Sequence, residues 1–318
     1  MRYLVTGGAG FVGSHLADAL LARGDEVVCV DNFNDYYSPD RKRRNIAGAL
    51  AQPGYTLVEA DICDLAAMEQ VFEVHRPTKI AHIAAMAGPR PSVERPLLYE
   101  EVNVRGTVTM LDLARRHDAQ GFVLASTSSV YGIAPTPWSE DMATDRPLSP
   151  YAATKKAAEV LAYTFHYLHK LPTRVVRFFT VYGPRGRPDM TPYLFVDAMV
   201  KHKPITLFNG GAGVYRDWTY VDDIVAGVVA ALDTDMPFET FNLGNSSPVQ
   251  LSDFIALLEQ ITDLEAIVDS KPLPAADPPI TYANVDKARS LLGFQPHTSL
   301  EVGLNRFWAW YQAEVLDK

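Results

Sequence analysis

Short apolar runs alternate with longer amphipathic stretches through the first half of the chain. The short runs predict strands, at residues 3–6, 26–30, 55–60, 79–84, 121–126 and 173–178. The amphipathic stretches predict helices, at residues 11–23, 64–75, 97–117 and 151–169. Strands that alternate with helices are typical of right-handed βαβ units and of a parallel sheet covered on both faces. The pattern therefore predicts an α/β fold with a doubly wound parallel sheet.

The composition changes after about residue 180, because residues 181–215 are rich in Pro, Gly and Arg and residues 270–280 are rich in Pro. Further helices are predicted near 251–262, 285–292 and 299–315. We expect a first domain at 1–180, to which the chain returns at about 216–245. Residues 181–318 are expected to form mainly a smaller lobe, which leans over the carboxyl edge of the sheet, where doubly wound folds bind ligands.

Composition and charge narrow the class of protein. Of the 318 residues, 47% are hydrophobic and 21% are charged, as is usual in a globular protein. The net charge of -9 argues against general binding to nucleic acid or to anionic membranes. The chain opens directly into a strand, so no signal peptide is expected. No apolar run approaches the roughly 18 to 20 residues of a membrane helix, so no membrane partner is expected.

The residues that most often bind metals are sparse. Cys29 and Cys63 lack a CxxC spacing, which predicts buried free thiols and a reducing, cytoplasmic location. His166 and His169 stand at i and i+3 on a predicted helix, but no further His, Cys or carboxylate cluster supports them. We therefore expect helix-surface histidines and no metal site.

A glycine-rich segment, VTGGAGFVGSH, lies between the first predicted strand and the first predicted helix. Gly7, Gly10 and Gly13 follow a Gly-x-x-Gly-x-x-Gly pattern, and Gly8 also gives Gly-x-Gly-x-x-Gly. Such glycines allow a tight turn and bring the backbone close to a pyrophosphate at the helix N-terminus, where free N–H groups favour an anion. Because a strand and a helix flank the motif, it predicts a Rossmann-like dinucleotide site.

Two carboxylates, Asp31 and Asp61, follow strands at the predicted dinucleotide site. Asp31 ends the second strand, where a carboxylate accepts hydrogen bonds from the adenosine ribose and repels a 2′-phosphate, which favours NAD over NADP. The basic run at 41–44 would soften this preference if it faced the cofactor; the other interpretation is a solvated helix face. Asp61 follows the third strand and either contacts the adenine or caps the next helix.

The segment SPYAATKKAAEV places Tyr151 and Lys155 at i and i+4 on one helix face. A tyrosine titrates near 10 in isolation, so it needs help to act as a base at neutral pH. A lysine ammonium and an oxidised nicotinamide both favour the phenolate and would lower the pKa of Tyr151. The pair gains weight from following the glycine-rich loop in the same chain.

With TGGAGFVG, STSSVYG and YAATK in one chain, the sequence resembles the extended short-chain dehydrogenase/reductase family of nucleotide-sugar enzymes. Within it, the sequence is most similar to the UDP-glucuronate 4-epimerases, through VDNFNDYY, AMAGPRPSVERPLLYEEVNVRGT, RFFTVYGPRGRPDM and RDWTYVDDIVAG. The resemblance runs nearly end to end. It implies an NAD-binding Rossmann domain, a small domain that binds a UDP-sugar, and a homodimer formed through helices of the first domain.

The resemblance also implies roles for residues. Tyr151 would take the proton from the sugar 4-hydroxyl while NAD takes hydride from C4; the 4-keto sugar then turns, and hydride returns to the other face. Lys155 would bind the nicotinamide ribose, and Thr127 would share a short hydrogen bond with the sugar O4. Besides Tyr151 and Lys155, the residues expected at the NAD site are Gly7, Gly10, Phe11, Val12, Gly13, Asp31, Asn32, Asp61, Ile62, Ala84, Ala85 and Asn103.

The hydroxyl row at 126–129 separates branches of this family. The 4,6-dehydratases that resemble this chain carry an Asp-Glu pair at the positions of Ser128 and Ser129, and UDP-glucuronate decarboxylases carry Glu at the second. Eliminating water needs an acid for the departing hydroxyl, which serine does not supply at neutral pH. The hypothesis is that Ser128, Ser129 and Thr180 hold a uronate carboxylate; strand-end hydrogen bonds to the backbone are the alternative for the two serines.

At the UDP end, Arg90, Arg185 and Arg216 match family positions near the diphosphate or the sugar, and arginine suits phosphate oxygens. Asp277 matches an Asp that meets the uridine ribose, although Ala276 stands where that Asp is usually preceded by Gly. Residues 191–195, TPYLF, match positions that line the uracil site.

The leading hypothesis is an NAD-dependent UDP-glucuronate 4-epimerase. A UDP-glucose/UDP-galactose 4-epimerase on the same fold is the first alternative. A non-catalytic NAD-binding sensor protein is the second, and the intact pair of Tyr151 and Lys155 argues against it.

Overall fold

The structure, a computed structural model, describes residues 1–274 and 277–316. Its strands, in chain order, are β1 Arg2–Thr6, β2 Glu26–Asp31, β3 Tyr55–Glu59, β4 Lys79–His82, β5 Gly121–Thr127, β6 Thr173–Phe178, β7 Thr180–Tyr182, β8 Ile205–Phe208, β9 Tyr215–Tyr220, β10 Phe238–Leu243, β11 Pro248–Gln250 and β12 Val268–Lys271. Its helices are α1 Phe11–Ala22, α2 Pro39–Asn45, α3 Ala47–Leu50, α4 Leu65–His75, α5 Pro89–Glu94, α6 Pro96–Glu100, α7 Gly106–Arg116, α8 Pro150–His169, α9 Thr191–Val200, α10 Val221–Asp233, α11 Leu251–Thr262, α12 Asp286–Leu292 and α13 Leu300–Tyr311.

Seven parallel strands form the main sheet, in the order β10-β6-β5-β4-β1-β2-β3. Alternate residues of β1 enter different clusters: Tyr3 and Val5 belong to one buried apolar cluster and Leu4 to the other. Because side chains alternate along a strand, the sheet is covered on both faces. The predicted α/β fold with a Rossmann-like doubly wound sheet is confirmed.

The smaller sheets come from the second half of the chain. One has the order β11-β9-β7, in which β7 and β9 run parallel and β11 and β9 antiparallel. The other pairs β12 with β8. Between β9 and β11 the chain returns to the main sheet, where β10 pairs with β6 and forms an edge.

The helix predicted at 97–117 is confirmed in its extent, because residues 96–116 are helical throughout, but it is not one regular α-helix. The structure instead has α6, a π-helical turn at Glu101–Arg105 and α7, preceded by the short α5. Pro96 stands at the start of α6, where its missing N–H costs nothing. The π-helical turn contains Asn103, whose side-chain amide bonds to the backbone of Met86. A π turn inside an α-helix is frequent at functional sites.

Three further sequence expectations concern the cysteines, membrane helices and metal ligands. Both cysteines are free, as expected, but Cys63 is only partly buried, whereas Cys29 is fully buried. Within residues 1–274 and 277–316, no helix combines the length and apolarity that a bilayer crossing requires. The same residues contain no group of three or more His, Cys, Asp and Glu that is arranged to hold a metal ion.

Candidate active site

One cavity of about 820 Å³ lies at the carboxyl ends of the main-sheet strands. Its volume is in the range of small-molecule sites, which are roughly 300–1,000 Å³. Of the predicted site residues, those that line it are Gly7, Gly10, Phe11, Val12, Gly13, Asp31, Asn32, Asp61, Ile62, Ala84, Ala85, Arg90, Thr127, Ser128, Ser129, Tyr151, Lys155, Thr180, Arg216 and Asp277. Asn103 and Arg185 do not line it. The structure thus brings most of the predicted positions into one space.

The glycine-rich turn has no room for side chains. Gly7 has φ +66°, and a Cβ added there would lie 2.8 Å from the Cα of Ala84. A Cβ at Gly13 would lie 2.2 Å from the carbonyl oxygen of Gly7. Gly10 directly precedes α1, so the unpaired N–H groups of the first helical turn face this turn. The segment fits a dinucleotide pyrophosphate, because its backbone is accessible at the end of a helix.

Asp31 is fixed by the backbone at the end of β2. Its carboxylate accepts N–H bonds from Ala9, at 3.1 Å, and from Phe33, at 2.9 Å. Lys42 lies 3.9 Å from it; burial lowers the pKa of Lys42, and the charge of Asp31 opposes that effect. Lys42 lines the cavity and is only 6% exposed, so at this position the solvated-face interpretation of the basic run is wrong.

Asp61 follows β3 and is hydrogen-bonded to Asn32, which follows β2 next to Asp31. One carboxylate oxygen accepts from the Asn32 side-chain amide at 2.8 Å, and the other accepts from the N–H of Cys63 at 2.8 Å. The N-cap of α4 is instead Asp64, which accepts from the N–H of Ala67. The helix-capping alternative for Asp61 is therefore wrong.

Asn103 acts behind the cavity wall. It is fully buried, its oxygen accepts the N–H of Met86 at 2.8 Å, and its amide nitrogen donates to Met86 O at 3.0 Å and to Thr154 Oγ1 at 3.1 Å. The side chain thereby ties the segment of Ala84 and Ala85 to α8. Asn103 itself does not line the cavity, whereas Met86 does.

Tyr151 and Lys155 lie in the first turns of α8. This helix begins after Ser149, whose hydroxyl accepts the N–H of Ala152, and has Pro150 at its first position. Burial raises the pKa of Tyr151, while a side-chain hydrogen bond with Thr127 and the charge of Arg187 lower it. Burial lowers the pKa of Lys155 to about 8, against the charge of Glu159. On balance, the chain's own groups leave the pKa of Tyr151 above its ordinary value.

The hydroxyl row divides into two parts with different contacts. Ser126 donates to Glu159 at 2.6 Å and belongs to a buried network behind the strand. Thr127 accepts the N–H of Ser129 at 3.2 Å and donates to the hydroxyl of Ser129 at 3.2 Å. This contact begins the 3₁₀ turn at Ser128–Tyr131, which keeps Thr127, Ser128 and Ser129 at the cavity.

Thr180 lies close to these hydroxyls because of the sheet register. Phe178 of β6 is paired with Thr127 of β5, so the residues after them extend from neighbouring strand ends. Thr180 then begins β7, which pairs with β9. Parallel strands end at one edge of a sheet, which explains how hydroxyls far apart in sequence meet there.

A buried network of hydrogen bonds lies behind the strand ends that carry these hydroxyls. Glu159 accepts from Ser126 of β5 and from Arg177 of β6, and Arg177 also donates to the hydroxyl of Tyr131 at 2.8 Å. Tyr131 in turn donates to Asn242 of β10. Hydrogen bonds therefore connect α8, the helix of Tyr151 and Lys155, with three neighbouring strands, β5, β6 and β10.

Arg187 was missed by the sequence prediction, which named Arg185. Arg187 lines the cavity and its charge acts on Tyr151, whereas Arg185, at φ +61°, donates to Asp18 of α1 at 2.6 Å. Both arginines lie in one Gly- and Pro-rich segment, GPRGRP. Their spacing does not determine which faces the cavity, because that depends on backbone turns at 183–186.

Arg187 is held by a carboxylate. Asp189 accepts two hydrogen bonds from the guanidinium, from Nε at 2.9 Å and from Nη2 at 2.7 Å. Burial alone would lower the pKa of Arg187, but the hydrogen bonds and charge of Asp189 raise it overall. Arg187 is therefore a permanent cation at the cavity.

The opposite end of the cavity holds a second charged group. Arg90 pairs with Asp277 and packs over the ring of Phe208, with 4.6 Å from its Cζ atom to the ring centroid. Arg216 donates to the carbonyl oxygens of Tyr215 and Pro279. Ala276, which stands before Asp277, lies outside the described residues.

Asp217, another residue that the sequence prediction did not name, fixes this end. It is fully buried, and its carboxylate accepts N–H bonds from Asn245, Ser246 and Ala283. These contacts tie the strand of Arg216 to the segment after Asp277. The only sequence signal for it is its place beside Arg216 in RDWTYVDD.

Comparison with known proteins identifies the family. The family model described as GDP-mannose 4,6 dehydratase matches residues 4–307. The chain belongs to this family. The expected resemblance to the extended short-chain dehydrogenases/reductases is thereby confirmed.

Individual members of the family are similar over nearly the whole chain. UDP-glucuronate 4-epimerase 2 of Arabidopsis thaliana is 43% identical over 326 residues, which cover 97% of this chain and 75% of that protein. The structure of UDP-glucuronic acid 4-epimerase from Bacillus cereus with UDP-glucuronic acid and NAD has a TM-score of 0.93 and 34% identity, covering 98% and 99% of the two chains. The UDP-glucose 4-epimerase of Thermus thermophilus with NAD has a TM-score of 0.90 and 30% identity, covering 99% and 100%.

Proposed function

We propose that the chain is an NAD-dependent UDP-glucuronate 4-epimerase, which interconverts UDP-glucuronate and UDP-galacturonate. One observation carries the proposal. The cavity places Tyr151 and Thr127, which suit proton exchange with a sugar hydroxyl, beside hydroxyl donors and the cation of Arg187, which suit a carboxylate. The similarity to proteins named UDP-glucuronate 4-epimerase supports it.

The residues that would hold NAD run from one end of the cavity towards its middle. The backbone of Gly7, Gly10 and Gly13, with Phe11 and Val12, would bind the pyrophosphate, and Asp31 the adenosine ribose. Asn32, Asp61 and Ile62 would line the adenine, and Ala84, Ala85 and Lys155 the nicotinamide ribose. When bound, NAD supplies the hydride acceptor and donor for C4 and a positive charge beside Tyr151.

Tyr151 would take the proton of the 4-hydroxyl as the C–H bond at C4 is oxidised, and would return it when the ketone is reduced from the other face. A high pKa suits the return of the proton, while ionisation needs nearby positive charge. Arg187 supplies part of that charge. Thr127, hydrogen-bonded to the phenol, would hold the sugar O4 in place for both proton transfers.

Ser128, Ser129, Thr180 and Arg187 would bind the C6 carboxylate. Oxidation at C4 gives a β-keto acid, which loses carbon dioxide when the breaking C5–C6 bond aligns with the carbonyl π system. Donors that fix both carboxylate oxygens prevent that alignment. A neutral serine also lacks the acid function that would drive elimination.

At the far end, we propose that Arg90 and Arg216 bind the diphosphate and that Asp277 contacts the uridine ribose. Arginine forks suit phosphate oxygens because they donate two parallel bonds. Arg216 is held by the carbonyl oxygens of Tyr215 and Pro279, and Asp217 fixes its strand. Thr191, Leu194 and Phe195 of α9 line the adjoining wall, which fits a uracil ring.

NAD binding and UDP-sugar binding fall to different parts of the chain in this proposal. We propose that residues 1–180, with a return at about 216–245, form the NAD-binding domain, and that 181–318 form mainly the UDP-sugar lobe. The pairing of β10 with β6 and the packing of α10 along the main sheet support the return.

We also propose a cytoplasmic homodimer. Val160, Tyr163 and Tyr167 stand at i, i+3 and i+7 on one face of α8 and are 52%, 52% and 62% exposed, which is unusual for large apolar side chains. A second copy of the chain would cover them, and light scattering after gel filtration tests the association. Two free cysteines support a reducing compartment.

The deciding experiment is NMR of the purified protein with UDP-glucuronate. UDP-galacturonate without a UDP-pentose is the expected product. A UDP-glucose/UDP-galactose 4-epimerase is the second candidate, which the similarity to the Thermus enzyme supports. Conversion of UDP-glucose alone would establish that candidate and overturn the first.

A further inference from the structure

Tyr36 links the loop after β2 to the segment that carries Arg187. It lies in the loop that follows β2 and Asp31, on the side where NAD would bind, and it lines the cavity. Its hydroxyl donates to Oδ2 of Asp189 at 3.0 Å. Asp189 is the carboxylate that accepts two hydrogen bonds from Arg187. Tyr36, from the loop after β2, is thereby bonded to the carboxylate that holds Arg187 at the cavity.

The contacts of Arg187 leave one edge free. Nε and Nη2 both bond to Asp189, and the guanidinium carbon lies 5.6 Å from the ring centroid of Tyr36. Within residues 1–274 and 277–316, Nη1 has no hydrogen-bond partner. The Arg187 side chain is only 20% exposed, and its charge acts on Tyr151. The free edge therefore belongs to a side chain that lines the same cavity as Tyr151.

Asp189 needs its own support, because 37% of its side chain is exposed. A carboxylate that water reaches moves among rotamers unless something fixes it. Tyr36 is suited to this, since its N–H donates to Asn34 at 3.3 Å and Lys42 donates to Asn34 at 2.9 and 3.0 Å. The loop that presents Tyr36 is thus itself held by a buried lysine.

The other side of Tyr36 is closed by a glycine. A Cβ added at Gly88 would lie 3.1 Å from the Tyr36 hydroxyl oxygen, so the phenol packs directly against the backbone there. Gly88 has φ +98°, which only glycine adopts without strain. The phenol is therefore closely confined where its hydroxyl meets Asp189, and the hydroxyl of Tyr99 lies beside it.

We propose that Tyr36 is a positioning residue for substrate choice: through Asp189 it orients Arg187 towards the C6 carboxylate and so favours acidic over neutral sugars. This inference rests on the proposed function. A fixed guanidinium loses less entropy when it forms a charge-assisted hydrogen bond to the ligand, and so binds the acid more tightly. A neutral sugar, which has a hydroxymethyl group in place of the carboxylate, gains little from the same orientation.

The test compares affinities for two ligands that differ at C6. All variants carry Tyr151→Phe, so that bound sugar is not converted, and titration calorimetry measures Kd for UDP-glucuronate and for UDP-glucose in the presence of NAD. In Tyr36→Phe we expect Kd for UDP-glucuronate to rise about tenfold, equivalent to about 1.4 kcal/mol, and Kd for UDP-glucose to change by less than about twofold. Asp189→Asn, which weakens the pair more directly, should raise Kd for UDP-glucuronate at least as much.

The matched control is Tyr37→Phe. It removes a buried hydroxyl that has no hydrogen-bond partner among the described residues, from the next position of the same loop. Equal ratios of the two Kd values in Tyr36→Phe and in the parent would overturn the inference, as would an equal loss for both ligands, which a general loosening of the loop would produce. Thermal melting of each variant shows whether it is folded.

The outcomes separate the inference from the proposed function. NMR on the protein with Tyr151 intact decides whether UDP-galacturonate forms. If it does not form but the Kd discrimination depends on Tyr36, the reaction is wrong and the inference stands. If it forms and the discrimination is unchanged in Tyr36→Phe, the inference is wrong and the reaction stands.

Discussion

The carboxylate of Glu159 accepts two hydrogen bonds from the guanidinium of Arg177, from Nε at 2.9 Å and from Nη2 at 2.8 Å. Both side chains are fully buried, and Glu159 lies one helical turn beyond Lys155 on α8. The pair joins the helix of the proposed base to the strand that precedes Thr180. It therefore connects two sides of the candidate site. Neither side chain lines the cavity itself.

Removing one member of this pair should destabilise the fold strongly. In Glu159→Gln, Arg177 keeps a buried charge without its partner, and we expect the free energy of unfolding to fall by about 3 kcal/mol, measured by urea denaturation. Ser126→Ala, which removes only a neutral donor to Glu159, should cost about 1 kcal/mol. Similar losses in both variants would contradict the assignment of the stability to the ion pair.

Lys155 should reduce stability at neutral pH. Its folded pKa, about 8, lies below the ordinary 10.5, so between these values the unfolded chain binds more protons and stability rises with pH. In protein freed of NAD, Lys155→Met should therefore be more stable than the parent at pH 7, by about 1–3 kcal/mol, while losing activity.

The pH dependence provides the check on this second prediction. The advantage of the methionine variant should be full below about pH 8 and should decrease as pH rises towards about 10.5, where lysine is neutral in both states. Urea denaturation at about pH 7, 8.5 and 10 measures it. A constant difference across these pH values would indicate a packing effect and not a titration.

The serines after Thr127 should control product identity. In Ser128→Ala/Ser129→Ala, two donors to the proposed carboxylate are lost, and kcat/KM for epimerisation should fall by about one to two orders of magnitude. A less constrained 4-keto acid should lose carbon dioxide, so NMR should detect a UDP-pentose. Ser126→Ala is the matched control, because its hydroxyl bonds to Glu159 instead. Full epimerisation without any pentose in the double variant would refute the role.

The glycine-rich turn should determine whether NAD is retained. In Gly13→Ala the new Cβ lies 2.2 Å from the oxygen of Gly7, so the turn must move. With about 1–3 kcal/mol of strain, NAD affinity should weaken about 10- to 100-fold. Chromatography of nucleotide released from the purified protein measures retention. Gly48→Ala, whose Cβ meets no atom within 4 Å, should retain NAD like the parent.

The sequence pattern was sufficient for elements with a strong period. Apolar runs located the first six strands of the main sheet, and the amphipathic stretch at 151–169 located α8 within a residue. It did not give the π turn at 101–105, where Asn103 bonds to Met86, because a contact between separate segments leaves no periodic signal. Helix α9 was not predicted because Gly, Pro and Arg around it indicated a loop.

Site residues whose role depends on contacts with residues distant in sequence were harder to predict from the sequence. Motif positions located Tyr151, Lys155 and Thr127, but Arg187 and Arg185 stand in the same turn, and only the backbone decides that one faces the cavity while the other bonds to Asp18. Tyr36 and Asp189 are far apart in sequence and meet through the fold. No local pattern encodes such a contact.

The position of β10 at the edge of the main sheet limits how this protein can be recombined. The chain leaves the sheet after β6, forms β7, α9, β8 and β9, and returns through α10 to pair β10 with β6. A chimera with one junction after β6 would therefore mix the edge strand of one parent with the sheet of the other. Exchanging sugar specificity between relatives requires paired junctions, on either side of β10, so that each sheet keeps its own edge strand.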